Sequence, residues 1–146
     1  MASPSQLATL IDLARRETDE AAKRLGNALK MVEDCEQKLN MLIGYRNDYA
    51  VRFETSLAAG MTPMAYRNFQ AFLDKLDNAV TGQVEAVQKA RKRGDQEKAV
   101  WQASERKRMS YTTLENRAQQ EAMHLEAKRD QKAMDEHATR QAYYKR

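Results

Sequence analysis

Metal, nucleophilic and acid–base chemistry need His, Cys or paired carboxylates held at defined spacings. The sequence holds two histidines, His124 and His137, thirteen residues apart. On a helix, at about 100° per residue, that spacing sets them on nearly opposite sides. They cannot share a metal ion, and no other His or Cys stands near them at ligand spacing. The single cysteine, Cys35, excludes an intramolecular disulfide and reads as a small buried hydrophobe rather than a reactive thiol. Met31, Met41, Met109, Met123 and Met134 are scattered at helical spacing, as gap-filling residues are, although the last two could face a partner. No GxxxxGK[ST] loop is present to cradle a nucleotide phosphate. The residues thus assign no catalytic, cofactor or metal site, and the expectation is a protein that is not an enzyme.

Two basic clusters remain, Lys89-Ala90-Arg91-Lys92-Arg93 and Arg106-Lys107-Arg108. Phosphate recognition needs such residues along one face with few acids among them. Asp95, Glu97 and Glu105 interrupt them. A solvated helix face is the leading reading, contact with an acidic protein the next, and nucleic acid the last. The charge is uneven: the stretch to residue 62 is net −1, residues 63–98 are +2 and residues 99–146 are +3.

The elements that must position these residues are helices. Leu, Ile, Val and Phe make up only 23 of the 146 residues, too few for a compact core. Ala, Glu, Lys, Leu and Arg make up 71, the composition of a coiled coil, which buries a seam instead. Nothing alternates as a strand does. No apolar run approaches the roughly 20 residues that span a bilayer. With no basic, apolar leader at the N-terminus, a reducing cytoplasm is expected.

Ser3-Pro4 opens the first helix, with Gln6 completing a capping box on Ser3. One seam then alternates steps of four and three: Leu7, Ile11, Ala14, Thr18, Ala21, Leu25, Ala28, Val32, Cys35, Leu39, Leu42, Arg46, Tyr49, Phe53, Ser56. Twelve of these fifteen are apolar, and so sustained a 3.5-residue repeat signals supercoiling helices. Gly60 suits a left-handed stop, and Thr62-Pro63 repeats the start signal, with Met61 and Tyr66 at the positions of a hydrophobic staple. The second seam runs Tyr66, Phe69, Leu73, Leu76, Val80, Gln83, Val87, Ala90, Gly94, Glu97, Trp101, Ser104, Arg108, Tyr111, with Val84 or Lys98 able to replace Gln83 or Glu97 if the phase slips.

The expected fold is all-α: a single domain over residues 1–146, a long two-helix antiparallel coiled-coil hairpin with a protruding C-terminal helix. Its helices cover 4–58 and 63–144, joined by a turn at 59–62. Facing residues should have numbers adding to about 122. Phe53 then meets Phe69, Tyr49 meets Leu73, Leu42 meets Val80, Ala28 meets Gly94 and Ala21 meets Trp101. Large groups near the turn should contribute most to stability. At 1.5 Å per residue the first helix is roughly 80 Å long, and about 28 C-terminal residues are left without a partner in the chain. Within that tail Asp130, Met134, His137 and Arg140 or Gln141 share one face, with Gln131, Asp135 and Ala138 on the adjoining stripe. Leu10 and Leu13, off the main seam, should lie beside the base of the tail and extend its surface.

The sequence resembles the FliJ family, a soluble component of the flagellar type III export apparatus. The likeness runs through Leu7-Ala8-Thr9-Leu10-Ile11-Asp12-Leu13-Ala14, then Leu39-Asn40-Met41-Leu42-Ile43-Gly44-Tyr45 with Tyr49. It continues in Ala59-Gly60-Met61-Thr62 with Phe69 and Phe72-Leu73, and in Asp130-Gln131-Lys132-Ala133-Met134-Asp135-Glu136 with Ala138 and Arg140. The resemblance implies a coiled coil like the stalk subunit of rotary ATPases. Its paired terminal end would dock in the ring of the export ATPase FliI. It would help couple that ring to the export gate protein FlhA and bind flagellar export chaperones. Such a protein is cytoplasmic, peripheral to the inner membrane only through the export apparatus, and needs no nucleic acid or cofactor. Leu10, Leu13, Asp130, Gln131, Met134, Asp135 and Arg140 are then the expected contacts with the ATPase. The competing reading is a generic coiled-coil module that holds nucleic acid or a membrane surface through its basic C-terminal half.

Overall fold

A computed structural model describes residues 3–145, and among these it contains two α-helices and no strand. Helix α1 is Pro4–Ala59 and helix α2 is Pro63–Tyr144. The α1 start is the reciprocal capping box: the Gln6 amide donates to Ser3 Oγ (3.3 Å), and the Ser3 amide donates to Gln6 Oε1 (3.0 Å). The α1 end follows from Gly60, whose φ of 101° no side chain adopts comfortably and whose amide donates to the Leu57 carbonyl (3.2 Å). Thr62 caps α2 by accepting the Ala65 amide at Oγ1 (3.1 Å), while its carbonyl accepts the Tyr66 amide (3.0 Å).

The 3.5-residue seam is visible in the burial. None of the fifteen expected α1 seam positions is exposed, and on α2 the only exposed one is Tyr66. Gln83 and Glu97 keep their places while Val84 and Lys98 are exposed, so the phase does not slip.

The chain forms two compact units, Met1–Thr18 with Ala103–Arg146, and Asp19–Gln102. The second is a helical hairpin in itself. Near the turn its two helices join through rings. Tyr49 lies 5.2 Å from Phe69 and 4.7 Å from Phe72, and Phe53 lies 5.4 Å from Tyr66 and 5.7 Å from Phe69. Polar seam residues reach across as well. Arg46 donates to Asp77 (2.6 Å), and the buried Gln83 amide donates to the Cys35 carbonyl (3.0 Å). Of the two, the side-chain pair Arg46–Asp77 favours one register, because sliding by a turn would separate the charges. Outside the seam, Arg91 clasps Glu36 (2.6 Å).

The register agrees with expectation at Phe53–Phe69 and differs in detail at Gly94. Tyr49 packs on Phe69 and Phe72. A Cβ placed on Gly94 would meet Leu29 Cδ2 and Val32 Cγ2 at 3.8 Å, so Gly94 faces the groove between these two side chains. Knobs of one helix enter holes bounded by several residues of the other, so one-to-one facing is an approximation. Burial is deepest away from the turn. Ala21, Ala28, Val87 and Ala90 are buried, while Phe53 and Leu73 are half-buried. Small side chains vanish between two helices, whereas a ring stands past the seam and keeps one face wet.

Gly82 has open space at its Cβ position and Gly94 has ordinary contact distances. Gly82→Ala and Gly94→Ala should therefore each stabilise the helix by up to about 1 kcal/mol. Gly60→Ala should destabilise by roughly 1–2 kcal/mol through its left-handed backbone. Urea melts followed by circular dichroism read all three, and a loss of stability in Gly82→Ala would contradict the open space at that position.

Candidate partner-binding site

The unit formed by Met1–Thr18 with Ala103–Arg146 contains every residue expected to contact a partner. Leu7, Ile11, Ala14 and Thr18 turn inward on α1, and the Thr18 hydroxyl donates back to the Ala14 carbonyl (2.9 Å). On α2 the half-buried residues of this unit are Ser104, Glu105, Arg108, Tyr111, Thr112 and Glu115. Lys107 and Glu17 tie the two helices at 3.6 Å. Arg108, a cation at a seam position, donates from Nε to Glu105 Oε2 (3.2 Å) and from Nη2 to the other carboxylate oxygen. That hydrogen bonding holds the Glu105 carboxyl below its ordinary value. The pair supports folding above the unfolded carboxyl's pKa and loses that contribution as pH falls through the lowered one.

Beyond Glu115 the pattern changes. Every residue from 116 to 145 is exposed. Asp130, Gln131, Met134, Asp135 and Arg140 all lie on this helical stretch, and Met134 is 68% exposed. The adjoining stripe is pre-organised: Gln131 donates to Asp135 Oδ1 (3.1 Å), and the Thr139 hydroxyl donates to the Asp135 carbonyl (2.9 Å). Gln131, Asp135 and Arg140, with Lys128, Lys132, Glu136 and Thr139, frame a shallow depression. Asp130 and Met134 do not line it. Each is one residue from a member of that stripe, which is about 100° around the helix. The expected residues therefore form two neighbouring faces, one of paired charges and one centred on an exposed thioether. Leu10 and Leu13 are exposed on α1, and Leu10 borders a small hollow with Ser5, Gln6 and Thr9. Leu114, Met123 and Leu125 add exposed apolar area on α2, and Tyr143 packs edge-on against Tyr144 at 5.9 Å. A helix that is solvated all round has no structural use for such groups.

The sequence reading did not single out a second concavity, in the Asp19–Gln102 unit. Arg24, Asn27, Ala28, Met31, Ala90 and Arg93 line a groove of about 300 Å³. The signal that would have found it is the position preceding the seam in each heptad, which holds Arg24 and Met31 on α1 and Arg93 on α2. Among the described residues no helix is long and apolar enough to cross a membrane.

Comparison with known proteins extends over nearly the whole chain. The family model described as the flagellar FliJ protein matches residues 3–146. The chain is 33% identical over 145 residues to the flagellar FliJ protein of Escherichia coli (strain K12), covering 99% of each chain. It is 32% identical over 145 residues to the flagellar FliJ protein of Salmonella typhi, again covering 99% of each.

Leu73 is half-buried in a seam and Leu125 is 50% exposed in the tail. Truncating Leu73 to Ala should cost about 2 kcal/mol, the low end for a large aliphatic group, because a thin seam lets water into the gap. Leu125→Ala should change the melting temperature little. Equal losses in the two variants would mean that the tail is packed.

Proposed function

The chain belongs to the FliJ family of flagellar proteins, and on that premise we propose that it is a stalk and adaptor of the flagellar type III protein export apparatus. It acts by binding and has no catalytic step of its own. The tail of α2 and the start of α1 dock with the ring of the export ATPase FliI. From there the protein helps couple the ring to the export gate FlhA and binds export chaperones. It works in the cytoplasm, at the inner membrane only through the apparatus.

The observation that carries this reading is the run of exposure from residue 116 to 145, helical yet bearing Met123, Leu125 and Met134 on its surface. A helix of this kind gains little from its own chain and much from a partner, since isolated helices are marginal without packing. Within it, Asp130, Gln131, Met134, Asp135 and Arg140 form the contact, with Met134 as the adaptable apolar group and the charges flanking it to set orientation. Leu10 and Leu13 extend it from the other helix of the same unit.

Nucleic acid suits the charged surface less well. Arg91, Lys107 and Arg108 each face a carboxylate, from Glu36, Glu17 and Glu105 respectively. Cations already paired release few counterions on meeting phosphate.

Deleting residues 128–146 should leave most of the remaining helicity and the melting transition intact while abolishing co-purification with the export ATPase. Met134→Ala combined with Asp135→Ala should weaken binding in the same direction. Undiminished ATPase binding by the truncated chain would move the site elsewhere. A binding constant that collapses steeply with rising salt would point instead to a charge-dominated contact.

A further inference from the structure

The groove in the Asp19–Gln102 unit has a composition that the stalk role does not require. Its floor is Ala28 and Ala90, both buried, so the two helices enclose a concave space instead of filling it. Met31 is an exposed, adaptable wall and Asn27 supplies an amide. Two guanidiniums stand at the rim. Arg24 Nε lies 3.6 Å from Glu97 Oε2, and Arg93 Nη2 lies 3.9 Å from Glu97 Oε1. Both distances exceed hydrogen-bond reach. One carboxylate is thus shared by two cations without filling the donor fork of either, and the rim keeps a net positive charge.

We propose that this groove is a docking site for an amphipathic helix of another protein, one that presents an Asp or Glu beside an apolar side chain. The carboxylate enters between Arg24 and Arg93, where planar guanidinium forks suit it, and the apolar neighbour rests on Ala28, Ala90 and Met31. The occupant is a helix for a physical reason. Both walls are helices whose backbone groups are already bonded along their own axes, so the groove has no edge from which an extended peptide could gain main-chain hydrogen bonds. A third helix satisfies its own backbone and packs its side chains between those of α1 and α2. The apolar floor selects against a phosphate backbone, which has no apolar group to rest on it. The site is separate from the tail, whose residues the test leaves unaltered, so the two can fail independently.

The test uses the full chain and a fluorescein-labelled synthetic helical peptide with a Leu heptad stripe flanked by Glu. A second peptide has Lys in place of every Glu. Fluorescence anisotropy should show the Glu peptide bound at least about tenfold more tightly than the Lys peptide. Arg24→Gln with Arg93→Gln should remove that preference, and Met31→Ala should weaken the Glu peptide. Circular dichroism melts confirm that each variant folds. Arg67→Gln with Lys75→Gln removes the same net charge from exposed positions near the turn, neither of which lines the groove, and should leave binding unchanged. Equal affinity for the two peptides, or an equal loss in the Arg67 and Lys75 variant, would overturn the proposal in favour of diffuse attraction. A single-stranded oligonucleotide that displaces the Glu peptide from the wild-type chain, and binds the Arg24 and Arg93 variant less tightly, would overturn it in favour of a phosphate site.

Discussion

Two helices laid side by side bury a strip, and the width of that strip governs this protein. A seam one side chain wide can hide an alanine or a valine but cannot enclose a phenyl ring on every side. That is why Ala21 has no exposure while Phe53 and Leu73 are half-buried. The aromatic cluster compensates by packing ring on ring, which half-buries Tyr49, Phe53 and Phe69, while Tyr66 and Phe72 stay exposed at its edge.

The same narrowness makes polar seam residues useful. Arg46 and Gln83 occupy positions where a globular core would place apolar groups, and each finds a partner on the other helix. Apolar seams are nearly degenerate under sliding, because one turn of Leu and Ala resembles the next. The pairing of Arg46 with Asp77 is one that sliding by a turn would break. These residues give up some hydrophobic stabilisation for a unique alignment.

The two proposed binding surfaces lie where the seam changes character. Around Ala28, Ala90 and Gly94 it is lined by small groups, and the flanking Arg24, Met31 and Arg93 overhang a groove. Past Glu115 the seam ends and α2 continues alone with Met123, Leu125 and Met134 facing water. Both are places where another helix can complete what two helices leave unfinished. Membership in the FliJ family gives the second of these a setting in flagellar export.

Much of this was legible in the residue order. Helical period, cap chemistry and glycine stops act over a few residues, so Ser3 with Gln6, Gly60, Thr62 and the seam positions of α1 could be assigned without coordinates. The exposed tail followed from unequal helix lengths on either side of one turn. Tertiary structure decided what depends on side chains from both helices at once. It placed Tyr49 on Phe69 and Phe72, set Gly94 against Leu29 and Val32, and left Glu97 shared between two arginines from different helices. A heptad pattern specifies which residues face inward on each helix. It does not specify the interlocking of knobs and holes, because that depends on side-chain volumes across the interface, and those meet only once the chain has folded back on itself.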